Sequence, residues 1–182
     1  MSRLSIPATI DAAPEASRPL LEGVKKQLGS APNLFRLAAQ SPSALEGYLG
    51  LYAAVGKDSL GLATRERIAL AVAQYNGCGY CLSAHSYVGA NLAKLSPEEI
   101  AENRKGRSTD ARADAAVTFA LKVAESRGHV SGADLTAVRD AGYAEAQIIE
   151  IVLNVALSVW TNYLNEVAQT DIDFPLAEGV SA

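Results

Sequence analysis

The chain has 182 residues, enough for one ordinary domain with a real core. Hydrophobic residues make up 49% and charged residues 20%, the balance of a globular protein rather than of a disordered or fibrous one. The formal net charge is −4 and no basic tract is interleaved with aromatics, which argues against nucleic acid as a partner.

The N-terminal "MSRLSIPATIDAAPEAS" holds no apolar segment of signal-peptide length, and no uninterrupted apolar run reaches about 18 residues. No membrane span is therefore expected, and the expected location is the cytoplasm. Thiols stay reduced there, so a Cys-x-x-Cys is more often catalytic or metal-binding than a structural staple.

Alanine and leucine dominate and alternating β-branched runs are missing, so the chain reads as helix almost throughout. Residues 1–14, broken by Pro7 and Pro14, read as an extended arm. A first helix is expected from about Glu15 to Leu28, stopped by Gly29 with Pro32 beyond it. A short helix follows from Pro32. Ser41 and Pro42 then supply the N-cap and first helical position of the next. "TRERIALAVAQYNG" predicts a helix from Thr64 to the Asn76-Gly77 turn, and a cysteine-bearing helix follows to about Leu95. "SPEE" at 96–99 reads as a capping box. A long amphipathic helix ends at Gly128, and "SGAD" at 131–134 caps a short one.

The last long helix carries a wide apolar band of Ile148, Ile149, Val152, Val155, Ala156, Val159, Trp160, Tyr163, Leu164 and Val167. Two readings stand: a central core helix, or a helix that also packs on another subunit. The expected architecture is all-α, a single helical bundle over 1–182. It has the arm at 1–14 and a helical hairpin at 64–95 that carries the chemistry.

The only two cysteines are Cys78 and Cys81, in "GCGYCLSAH", and one of only two histidines is His85. Separations of three and four put all three on one helical face. The Asn76-Gly77 break places both cysteines in the first turn of a new helix, where unpaired N–H groups and the helix dipole favour thiolate. A hairpin about Gly77 brings Glu66 back to the height of His85, within about 4 to 5 Å along the axes. The expected order is that Glu66 holds His85, His85 faces Cys81, and Cys78 waits one turn below, the arrangement of an activated nucleophile. Taken singly, the residues have plainer readings: buried cysteines as core filling, His85 as a core histidine, Glu66 as a helix-start acid. Tyr75 and Tyr80 read as packing, and His129 as a solvated loop residue.

Glu66, eleven residues, Cys78-x-x-Cys81, three residues, His85: this pattern resembles the core motif of the alkylhydroperoxidase D-like, peroxidase-related branch of the carboxymuconolactone decarboxylase family. "PNLFRLAAQSP" at 32–42 and "DFP" at 173–175 are similar to it as well, so the resemblance covers about residues 30–175. It implies an all-α fold, a homo-oligomer (trimer or hexamer), and thiol-dependent reduction of hydroperoxides without a cofactor. By the same resemblance Cys81 attacks peroxide, Cys78 resolves the sulfenic acid, Glu66 and His85 relay protons, and a lipoyl- or thioredoxin-type dithiol reduces the product. Some members carry a histidine between the cysteines; here that stretch is Gly79-Tyr80. The cysteine pair argues against the family's lactone decarboxylases, which lack it. Two alternatives stay open: a non-peroxidase dithiol oxidoreductase or redox sensor, and a zinc site formed by Cys78, Cys81, His85 and Glu66.

Overall fold

The computed structural model describes residues 2–181. Among them the chain is all helical, with no strand, as the alanine- and leucine-rich sequence predicts. The helices are α1 (Arg18–Leu28), α2 (Asn33–Ala38), α3 (Pro42–Val55), α4 (Leu62–Asn76), α5 (Gly79–Asn91), α6 (Pro97–Arg104), α7 (Ala111–Ser126), α8 (Gly132–Asp140) and α9 (Glu145–Ala168).

α4 is the axis of the bundle, packed against α5, α6, α7 and α9. Its middle, Ile68 to Ala73, is buried all round, so it shows no polar face there. Two apolar clusters flank it. One gathers Leu45, Tyr48, Leu70, Tyr80 and Leu82 around the cysteines; the other gathers Ile68, Val72, Phe119, Ile151 and Val155. Residues 2–14 close over α2 and the end of α9: Arg3 N donates to Ala168 O at 2.6 Å, and Arg36 Nη1 to Pro7 O at 2.9 Å.

Several boundaries differ from expectation. The first helix begins at Arg18, preceded by a 3-10 turn at Glu15–Ser17. Pro19 has no N–H to give the Glu15 carbonyl, so a regular helical bond cannot form there. α4 begins at Leu62, not Thr64, because Gly61 at φ 80° makes the entry turn and its carbonyl accepts from Arg65 N. α5 stops at Asn91, not Leu95. Leu95 N turns back to Gly89 O at 2.9 Å, and the buried Leu95 side chain packs where Gly89 has no Cβ.

The capping box expected at 96–99 is half made. Ser96 Oγ accepts from Glu99 N at 3.1 Å. The Glu99 carboxylate instead accepts from Arg67 Nε (2.6 Å), Asn103 Nδ2 (2.9 Å), Ser108 Oγ (2.5 Å), Thr109 N (2.8 Å) and the Thr109 hydroxyl. Five donors from four residues outcompete one local amide. The box at Ser131 and Asp134 is complete.

α9 departs most from its sequence reading. Ile148 and Val155 are buried, but Ile149, Val152, Ala156, Tyr163 and Val167 form an exposed apolar strip. What the bundle buries alongside Ile151 is a polar stripe: Asn154, Ser158, Thr161, Asn162 and Asn165. Among the described residues α9 is long and apolar enough, by length and composition, to cross a membrane; here it packs on α3, α4, α5 and α7.

Candidate active site

The site is built on the α4–α5 hairpin. Gly77 ends α4 at φ 71°, a left-handed conformation that glycine adopts without strain, and Cys78 N returns to Ala73 O at 3.0 Å. Cys78 follows in extended backbone as the N-cap of α5, and its sulfur takes the place an oxygen normally fills, accepting from Cys81 N at 3.2 Å. Cys78 therefore caps the first turn rather than lying within it, and Cys81 is the third helical residue.

The hairpin brings Glu66 to His85. Glu66 Oε2 and His85 Nδ1 are 2.7 Å apart, with the carboxylate accepting the ring proton. Burial works against a charged imidazole, but the charge and hydrogen bond of Glu66, aided by Cys81, outweigh it and raise His85 above its ordinary 6.5.

The cysteines are both free thiols, buried, and their affinities for a proton are pushed apart. Burial opposes charge on Cys81. The hydrogen bond from the Cys78 thiol, the positive charge of His85 and the amides of Asn165 and Asn162 overcome it and hold Cys81 below the ordinary 9.0. The reciprocal bond to Cys81, then burial, the Cys81 charge and Glu166, push Cys78 far up. Of the two sulfurs, Cys81 is thus the one held toward its charged form and Cys78 the one held protonated.

A cavity of about 310 Å³ opens onto Cys81. Glu66 and His85 lie on its wall with Arg65, while Tyr48 and Tyr52 of α3 supply an aromatic side. Burial raises both phenols, so they remain neutral there. Arg65 is tied by Nη1 to Asp58 Oδ1 at 2.9 Å, and Asp58 Oδ2 also accepts from Asn154 Nδ2 at 2.9 Å.

All four residues singled out from the sequence meet at one place. Among the described residues, no three His, Cys, Asp or Glu side chains converge as a metal-binding group. Glu66 is engaged by His85, and the two sulfurs by each other, which does not fit the zinc alternative. His129 is exposed, as expected. Tyr75 is not a packing residue but 51% exposed. Tyr80 is buried, donates from its hydroxyl to Asp173 Oδ1 at 2.8 Å, and accepts from Leu34 N at 3.2 Å. It thereby ties the first turn of α5 to "DFP" and α2. The sequence reading missed Tyr48, Tyr52, Arg65 and the asparagines of α9. For the asparagines a signal existed: polar residues at helical spacing inside an otherwise apolar helix.

Fold and hairpin together define an all-α bundle with a cysteine pair and a Glu–His pair at its centre. Residues 42–126, from the start of α3 to the end of α7, match the carboxymuconolactone decarboxylase family. Over its whole length it is similar to the alkylhydroperoxidase AhpD core structure of a peroxidase-related protein from Ralstonia eutropha JMP134. That match has 25% identity and a TM-score of 0.84, covering 94% of this chain and 92% of that one. A peroxidase-related protein from Silicibacter sp. TM1040 has the same fold, with 24% identity, a TM-score of 0.81, and 93% and 91% covered. So does the debrominase Bmp8, with 21% identity, a TM-score of 0.77, and 94% and 92% covered. No curated protein matches the chain.

Proposed function

We propose that the protein is a thiol-dependent peroxidase for organic hydroperoxides. The observation that carries this is the Cys81 sulfur, held toward the thiolate form, opening onto a cavity that the Glu66–His85 pair shares. The Cys81 thiolate attacks the terminal peroxide oxygen and the O–O bond breaks. The alcohol leaves with a proton from His85, whose charge Glu66 supports, and Cys81 becomes a sulfenic acid. The Cys78 thiol then attacks the Cys81 sulfur, releasing water and forming a disulfide. An external dithiol of lipoyl or thioredoxin type takes up the two oxidising equivalents and restores both thiols, work that suits a reducing cytoplasm. The cavity volume equals that of about ten water molecules, at the small end for ligand sites. It suits a hydroperoxide with a compact organic group.

Peroxide consumption with a dithiol reductant tests this reading. Cumene hydroperoxide is expected to turn over and, without reductant, to remove two thiols per chain reversibly. Thiols inert to every hydroperoxide would overturn it.

The aromatic side formed by Tyr48 and Tyr52 supports a second reading, since the debrominase Bmp8 has this fold and a variant of it was solved with 2,3,4-tribromopyrrole. The thiolate would take a halogen from a flat ring as a sulfenyl halide while the ring carbon gains a proton. Cys78 would then expel halide to form the same disulfide. Halide release from a brominated pyrrole or phenol distinguishes the two.

A further inference from the structure

α9 contributes two buried asparagines at the cysteine pair, three residues apart and so on one face. Asn165 is 2% exposed and its Nδ2 donates to the Cys81 sulfur at 3.4 Å. Asn162 is fully buried, and its Oδ1 accepts from Asn76 Nδ2 at 2.9 Å. That bond fixes which way the Asn162 carboxamide points, because its oxygen is committed to the end of α4. Its Nδ2 then has no acceptor at ordinary hydrogen-bond geometry. An unpaired buried donor is unfavourable, and nothing in packing alone calls for two carboxamides here.

We propose that Asn162 and Asn165 form an amide cradle that holds Cys81 as its thiolate, with Asn76 orienting Asn162. A thiolate is a far better acceptor than a neutral thiol, so the donor left idle by the thiol is satisfied when the sulfur is charged. The amides of both asparagines favour the charged form of Cys81, in keeping with this geometry. The charged and titratable groups around the pair are Cys78 and His85 on α5, Glu66 on α4, Tyr48 on α3 and Glu166 on α9. His85 and the two amides favour the Cys81 charge. Tyr48 is neutral, and Glu166 acts on Cys78.

The test needs no substrate, so it stands or falls apart from the peroxidase reading. The reduced full-length chain is titrated by the ultraviolet absorbance of its thiolate, with peptide mass spectrometry of iodoacetamide-trapped Cys81 to assign the wave. Asn165→Leu keeps nearly the size of the side chain and removes the donor without adding charge, and is expected to raise the Cys81 proton affinity at least about tenfold. Asn76→Ala leaves both cradle residues in place at a half-buried helix end, and is expected to raise it roughly threefold. Circular dichroism establishes folding. If loss of the buried carboxamide prevents folding, Asn76→Ala decides. A Cys81 wave that coincides with that of the wild type in the deciding variant overturns the proposal, since a merely structural role would change stability and leave this titration in place.

Discussion

Replacing Glu66 by glutamine isolates the charge that supports His85. The shape is kept and the amide oxygen still accepts from Nδ1, now 2.7 Å from a carboxylate oxygen. Two unit charges about 4 Å apart attract by roughly 4 kcal/mol at an effective dielectric constant of about 20. The His85 side chain is 31% exposed and Glu66 10%, so solvent screens part of this. A loss of about 1.5 kcal/mol is expected, close to one pH unit in the His85 titration. Burial, which the carboxylate now outweighs, would then pull the ring's midpoint back down from its raised position. Proton NMR resolves the two histidines of the chain, and the exposed His129 serves as the internal control. The sign carries over to stability. A raised folded value means that the pair's contribution is fully present below 6.5, the unfolded value, and is lost as pH rises through the folded one. The wild type should therefore exceed Glu66→Gln by most in mildly acidic solution, with the gap closing on the alkaline side. A His85 midpoint unchanged in the variant would refute the reasoning, because the carboxylate would then not be setting the ring's charge.

Cys81→Ser should abolish the reaction with hydroperoxide, whereas Cys78→Ser should allow one turnover and leave a sulfenic acid on Cys81 that a dimedone probe traps. A trapped sulfenic acid on Cys78 in the Cys81 variant, at the wild-type rate, would reverse the two roles. Glu99→Ala strands Arg67, Asn103, Ser108 and Thr109 beneath α6. It should lower the unfolding free energy by about 3–5 kcal/mol, a drop of roughly 10 °C or more in Tm by calorimetry; a shift of only a degree or two would show that the hub is dispensable. The exposed strip of α9 is expected to join copies of the chain into a trimer or hexamer, so light scattering should report several chains and Ile149→Glu with Val167→Glu should reduce that number. A wild-type monomer of 19.0 kDa would leave the strip without that role.

Much of the site was legible because its geometry is local. Helical spacing alone puts Cys78, Cys81 and His85 together, and a glycine that ends one helix and admits the next returns Glu66 to His85. Those relations span few residues and need no knowledge of the rest of the chain. The same local rules also placed the caps at Ser41 and Ser131, where no distant group competes.

Where distant groups compete, tertiary structure decided. Glu99 satisfies a capping pattern, yet Arg67, Ser108 and Thr109 together offer its carboxylate more than the local amide does. Periodicity in α9 marks an apolar band, and periodicity carries no information on which stripe the other helices will meet. The bundle turned the asparagine stripe inward and left Ile149, Tyr163 and Val167 outside, which carried Asn165 to a sulfur 84 residues away in the chain. The sequence by itself determined that two thiols, an imidazole and a carboxylate share one hairpin. Which of the two sulfurs is held toward its charged form was decided by burial, by the bond between them and by amides from a distant helix, because proton affinity depends on everything that surrounds the atom.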